Sequence, residues 1–353
     1  MRPEKPIPLV GKEAAEGPPE EEPSDLRKMT RWERRAAETS ALAGAVTEEE
    51  FEEVERTHGA IPHVRPLTGD DLEVRPPPRQ RYALRMGESL RALLAARELI
   101  LTFVERDLRV RYKQAALGGV WAVLQPLMLM VIFTLVFGKI AKVGSEGLPY
   151  AIFAYCALVP WQLFSGAVTY GTNGIITNAP IIRKIAMPRE VFPISSLLSA
   201  GVDFAVSTVI LFGMLVAFGY YPKITWIAYP LLLVILMIIT LALTLLTSAI
   251  TVFFRDTRYG IPMLLQILLY ATPVAYPISK LVGPDGLLHG AWAEAYPYLN
   301  PLAPLMDGFR RILAHGTWPA WGPVGSAALV GAVALVLTFW WYKHLDRTFA
   351  DVI

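Results

Sequence analysis

The sequence predicts an all-α integral membrane protein: six transmembrane helices, an N-terminal amphipathic interface helix before them, and short re-entrant extracytoplasmic helices between spans five and six. Two observations carry that expectation. Hydrophobic residues make up 54% of the 353 positions, mean hydropathy is +0.40, and the apolar residues gather in uncharged runs of 20 to 36. Charge is segregated as well, since residues 1–80 hold 18 of the 31 acidic and 12 of the 33 basic residues, which leaves the tail at −6 and the remainder at +8. A soluble chain of this length spreads charge over its surface, so an ordinary soluble enzyme is excluded.

In chain order, residues 1–80 carry 11 of the 28 prolines and many glutamates. That composition predicts a largely disordered cytosolic tail, with short helices near 31–37 and 47–57. A passive linker and a docking arm are both compatible with it. The opening MRPEKPIPLVGKEAAEGPPEEEPSD lacks the apolar run of about 7–15 residues that a secretory signal needs, so the tail is expected to stay in the cytosol. Residues 85–116 place Leu90, Leu94, Leu101, Val104 and Leu108 at helical spacing with arginines between them, which predicts an amphipathic helix along the cytosolic membrane surface. A basic juxtamembrane anchor explains the charges equally well.

A helix crossing a hydrocarbon core of roughly 30 Å needs about 20 apolar residues, because each adds about 1.5 Å. Within 117–345 the segments that qualify are about 119–138, 151–175, 191–219, 226–254, 259–278 and 320–342, leaving 346–353 as a cytosolic C-terminus. Flanks assigned to the cytosol carry 12 Lys and Arg against 6 in the outer connections, so both termini are expected inside an inner membrane. Between spans two and three, Pro180, Pro188 and Pro193 bracket Arg183, Lys184 and Arg189, which predicts a short proline-bounded helix on the cytosolic face. Residues 279–319, with Trp292, Tyr296, Tyr298, Phe309 and Trp318, are too short for a domain and are expected to fold back onto the outer membrane surface.

The chain has no phosphate loop, no HExxH helix and no GxSxG elbow, and its five histidines are scattered. Its one cysteine, Cys156, excludes an intrachain disulfide and a cysteine metal site. No catalytic site, cofactor or metal is expected on this chain, nor a nucleic-acid partner. Ser195, Ser199, Asp203 and Ser207 recur every four residues along the third span, so they form one polar stripe facing other helices. That stripe is either part of a translocation path or a packing seam with Asp203 neutralised. Aromatic faces suit a sliding glycan, which makes Trp121, Phe133, Phe137, Phe153, Tyr155, Trp161, Phe164, Tyr170, Phe204, Tyr270 and Tyr276, with Asp203, candidates for a lined path. Interfacial belts and core packing are the competing explanation.

Six segments share a family pattern: RDLRVRYKQAALGGVWAVLQPL (106–127), LPYAIFAYCALVPWQLF (148–164), NAPIIRKIAMPREVFPISSLLSAGVDF (178–204), FFRDTRYGIPMLLQILLYATPVAYP (253–277), LNPLAPLMDGFR (299–310) and FADVI (349–353). Together they resemble the type-2 ABC transporter permeases that export polysaccharides and polyol phosphates, among them the O-antigen, capsule and teichoic acid exporters. The likeness covers about residues 85–353. Ala157 stands where that family is expected to have glycine, and residues 1–80 extend beyond the usual permease.

The resemblance implies a homodimer joined to two copies of a separate ATP-binding subunit that holds ATP and magnesium, moving a lipid-linked glycan outward. It makes Ile181, Ile182, Arg183, Lys184 and Arg189 the ATPase-coupling candidates, and Arg106, Asp107, Arg109, Arg111 and Tyr112 the interface-helix candidates. Arg255, Asp256 and Arg258 form a secondary cytosolic contact on the same footing. The alternatives are a type-2 exporter of a drug or lipid, and a membrane-embedded enzyme of glycan synthesis, for which clustered acids or histidines are missing.

Overall fold

A computed structural model describes residues 86–113, 118–184, 187–282 and 286–352. The acidic tail and its two expected helices lie outside these residues. Among the described residues every regular element is helical.

The interface segment is two helices, α1 (Met86–Ala95) and α2 (Arg97–Tyr112), broken at Ala96. The face turned to the protein is Leu93, Ile100, Phe103 and Val104. Of the expected stripe, Val104 lies on this face and Leu108 packs beside it, Leu94 and Leu101 are 65% and 62% exposed, and the side chain of Leu90 is outside the described set. Phe103 packs edge-on against Phe192 at 5.0 Å and anchors the buried face.

Among the described residues five helices are long and apolar enough to cross a membrane: Gly118–Ile140, Tyr150–Thr177, Val191–Ala217, Ile224–Phe253 and Trp321–Leu345. The first four contain α3 (Trp121–Phe133), α4 (Tyr150–Thr177), α6 (Val191–Ala217) and α7 (Tyr229–Phe253), the fifth is the greater part of α12 (Trp321–Val352), and α5 (Ala179–Ile182) is a single turn between α4 and α6. The last helix runs on through the expected C-terminal segment as far as Val352.

The expected fifth span at 259–278 is interrupted. Helix α8 (Thr257–Ala271) has 15 residues, roughly 22 Å of rise and short of a hydrocarbon core. Hydropathy continues past Ala271, but Pro273 forces the residue before it out of the helical region, and Thr272 is extended at φ −99°, ψ 138°. Three further helices follow: α9 (Ser279–Val282), α10 (Ala291–Leu299) and α11 (Ala303–Arg310). The segment was expected on the outer surface, yet every residue of α11 is buried, and α11 packs against α4, α7 and α12.

Helix α4 is the centre of the bundle. Its most apolar window is 78% buried, against 11% for the first span. Small residues let α7 approach it closely: a Cβ on Gly171 would overlap Thr244 Cγ2, and one on Gly331 of α12 would lie 2.6 Å from Ile239 Cγ1. The hydroxyls in this seam are satisfied without water. Thr244 and Thr251 donate to carbonyls four residues back at 2.7 and 2.6 Å, and Thr172 bonds Thr247 across the helices at 2.9 Å. Gly171→Ala is therefore expected to destabilise the chain by about 1–3 kcal/mol. Thr244→Ser removes the opposing methyl and is expected to recover most of the loss, read as the thermal midpoint of the detergent-solubilised protein.

Candidate functional site

The end of the bundle carrying residues 178–190 and 254–258 is here termed the basic end. Close to it, α2, α3, α4 and α6 enclose a polar chamber of about 420 Å³ whose wall includes Arg111, Tyr112, Trp121, Tyr170, Asp203 and Phe204.

The chamber is built around Asp203. Arg111 forms an ion pair with its Oδ2, Tyr112 donates its hydroxyl to Oδ1 at 2.8 Å, and the Arg111 guanidinium lies 3.9 Å over the Tyr170 ring. A charge within a span is costly unless paired, and two residues at the end of α2 supply the pairing across the start of the bundle. Burial, and then the hydrogen bond and charge of Asp203, push the Tyr112 hydroxyl up to about 12. It therefore stays a donor throughout the physiological range.

The remaining stripe serves the backbone. Pro126 sits inside α3 and has no N–H for the carbonyl four residues back, and Ser207 donates to that carbonyl, on Ala122, at 3.3 Å. Ser195 and Ser199 donate to carbonyls of their own helix at 2.9 and 3.1 Å. The stripe is thus a packing seam over most of its length and a cavity wall at Asp203 and Ser207.

Of the twelve path candidates, Trp121, Tyr170, Asp203 and Phe204 meet at the chamber. Phe133, Phe153, Tyr155, Trp161 and Phe164 are buried in the main core, and Phe137 packs on Phe133 at 5.3 Å. Tyr270 is exposed and its carbonyl accepts the Tyr276 hydroxyl at 2.6 Å. Within one chain the structure does not gather these eight into a lined path. A second cavity of about 520 Å³, bounded by Phe164, Ile239, Leu268, Leu299 and Val330, is apolar.

At the basic end, α5 begins at Asn178, which donates to Gly174 O at 2.7 Å and accepts from Arg106 Nη1 at 2.6 Å. Arg106 also grips Asp107, while Arg109 pairs with Glu105 on the exposed face. Ile181 and Ile182 are half-buried against the apolar cluster beneath, and Arg183 and Lys184 are exposed. The returning strand of chain is anchored too: Glu190, fully buried, pairs with Lys343 of α12, and Arg189 lies 5.8 Å from the Phe349 ring. Arg255, Asp256 and Arg258 are exposed on the neighbouring turn, with Arg258 over Tyr259 at 4.5 Å.

The far end is held by a residue that sequence reasoning counted only as a loop charge. Arg310, 1% exposed, donates Nε to Phe153 O at 3.0 Å, Nη1 to Pro273 O at 2.6 Å and Tyr276 O at 3.4 Å, and Nη2 to Val274 O. Its guanidinium also stacks 3.9 Å from the Phe153 ring. The carbonyls of Pro273, Val274 and Tyr276 lie just past the break, where no helix supplies a donor, while Phe153 belongs to α4. Asn300 Nδ2 and the Tyr296 hydroxyl complete the cap, reaching Thr272 Oγ1 at 3.1 Å and Ala271 O at 2.6 Å. The available signal was an arginine at the end of the short segment LNPLAPLMDGFR, where Asp307 is its one charged neighbour within the helix.

Residues 98–314 match the family model described as ABC-2 type transporter. The chain is 27% identical over 257 residues to the O-antigen export system permease protein RfbA of Klebsiella pneumoniae, covering 72% of this chain and 95% of that protein. To the protein of the same name from Myxococcus xanthus it is 29% identical over 264 residues, 75% of this chain and 98% of that one. The polysialic acid transport protein KpsM of Escherichia coli is 22% identical over 214 residues, 60% and 79% of the two chains.

Proposed function

The chain belongs to the ABC-2 type transporter family, and we propose that it is the membrane-spanning permease subunit of an ATP-driven exporter that carries a lipid-linked polysaccharide outward from the cytosolic side of the inner membrane. The observation that carries this reading is its alignment along 95% and 98% of two O-antigen export permeases. On this reading the chain works as a homodimer with two ATP-binding subunits, and ATP and magnesium belong to those subunits.

The basic end is then the cytosolic end. Arg310 is buried as an internal donor, so removing it from the outer connections leaves five Lys and Arg against 12 on the other side, a stronger asymmetry than the bare count. The interrupted α8 reaches part of the way across, and the far-end helices α9 to α11 complete its passage in place of a full fifth span.

Force enters at the turn around α5. When ATP closes the partner subunits, Ile181 to Lys184 are displaced, and Asn178 passes the movement to Arg106. Arg111 and Tyr112 lie on the same rigid helix, about 8 Å further along its axis, and hold Asp203 in the chamber wall. One helix thus couples the cytosolic contact to the polar chamber, giving the two-state element that such transport requires.

Depleting the protein in its native cell tests the function. Full-length lipid-linked glycan is expected to accumulate on the cytosolic side and vanish from the outer face, and an unchanged outer glycan would rule the reading out. For the coupling turn, the double substitution Arg183→Glu with Lys184→Glu is expected to cut export at least tenfold while the chain still inserts. Normal stimulation of the partner's ATPase by that variant would sink the assignment.

A further inference from the structure

We propose that the chamber under α2 is a binding subsite for a single uncharged sugar ring of the transported glycan; this rests on the export reading above. Charge decides the ligand class first. Among the described residues Arg111 and Asp203 are the only charged side chains in the chamber wall, and they pair with each other. A phosphate or pyrophosphate entering here would find its one guanidinium engaged and would face a carboxylate, whereas anion sites need cations left free to fork onto oxygen.

Hydrogen-bonding capacity decides it further. Gln125 and Gln162 line the chamber, and among the described residues neither side-chain amide has a hydrogen-bond partner. Gln162 is half-buried in the middle of α4 and lines the chamber, so its amide groups are left to meet whatever enters there. Two amides, each offering donors and an acceptor, match the alternating demands of sugar hydroxyls. Trp121 and Tyr170, each about half exposed in the same wall, supply the aromatic faces on which the C–H edges of a pyranose stack. The volume, about 420 Å³, lies within the range of small-ligand sites, about 300–1,000 Å³. It is large enough for a sugar ring with its hydroxyls and too small for a folded polymer. Aromatic walls with a few convergent polar groups are also the usual make-up of such a site.

The test uses the full chain with its ATP-binding partner in native membranes. A p-benzoylphenylalanine photoprobe replaces Gln162, with a second chain carrying it at Gln125 on the exposed rim and a control at Val209, which is exposed on α6. After illumination the purified chain is oxidised with periodate and labelled with a hydrazide to reveal bound sugar. Sugar-positive adducts at 162 or 125, at least tenfold above those at 209, are expected. A phospholipid adduct without sugar at both positions, in cells whose surface glycan shows export, overturns the subsite and leaves the export reading standing. The Gln162→Leu chain gives an independent reading, because it keeps the bulk and loses the amide. Lipid-linked glycan purified from depleted cells is expected to be needed at five-fold or higher concentration for half-maximal stimulation of the ATPase, and an unchanged value overturns the proposal. Depletion that leaves the outer glycan intact sinks the export reading itself, so the two failures are told apart.

Discussion

Arg310→Met is expected to unfold the far end of the protein and to lower its thermal midpoint by about 10 °C, the consequence of about 3–5 kcal/mol of lost stability. Three carbonyls outside any helix, on Pro273, Val274 and Tyr276, lose their donor, and an orphaned buried acceptor is costly in a region without water. Removing a desolvated charge returns part of that cost, which is why the expected loss is smaller than three unsatisfied groups would give. Arg310→Lys is expected to be only a partial remedy, since a compact ammonium cannot span acceptors arranged around a planar fork. The chain carries its own reporter: Cys156 is its one cysteine and is fully buried. A thiol-reactive fluorophore therefore reads unfolding directly, and an Arg310→Met protein whose Cys156 stays protected to the wild-type temperature would refute the role.

Asp203→Ala is expected to reduce export at least tenfold with a modest loss of stability. It strands Arg111 in a chamber where the two side chains are 19% and 24% exposed, and breaking one half of a largely buried pair costs about 1–3 kcal/mol when some water remains in reach. Asp203→Asn keeps acceptors for Arg111 and Tyr112 and is expected to fall between the two. Exchanging the pair, Arg111→Asp with Asp203→Arg, restores neutrality and is expected to regain folding more completely than export. Outer-surface glycan normalised to folded chain separates those outcomes. Full export by a well-folded Asp203→Ala chain would remove the chamber from the mechanism.

Much of the fold was legible because an apolar run of twenty or more residues has few physical outcomes. Four long runs gave helices close to their expected limits, and the last continued past its own. The fifth run failed because hydropathy records what a residue dissolves in and says nothing of where the backbone turns. Pro273 and the extended Thr272 were the local signal for that. The interface helix was legible in part: Val104 lies on the buried face, but Leu94 and Leu101 satisfy helical spacing as well as Leu93 and Ile100 do, and only the way the helix docks, with Phe103 on the ring of Phe192, separates the two sets.

The chamber was half legible. Arg111 and Tyr112 were singled out as interface-helix residues and Asp203 as a polar residue within a span. Their union across 92 positions of sequence depends on how α2 docks, which no local pattern encodes. Gln125 and Gln162 drew no attention, because an amide inside an apolar run becomes informative only when its surroundings show that it has no partner.

The clasp at the far end also sets an order of events during synthesis. Pro273 precedes the arginine that caps it by 37 residues, so at about 5–20 residues per second the break waits roughly 2–7 s for its donor. For that interval the ribosome-bound chain has an open helix end inside or beside the insertion machinery. A nascent chain arrested before residue 310 is thus expected to be cleared by membrane proteases, while one arrested shortly after it has emerged persists.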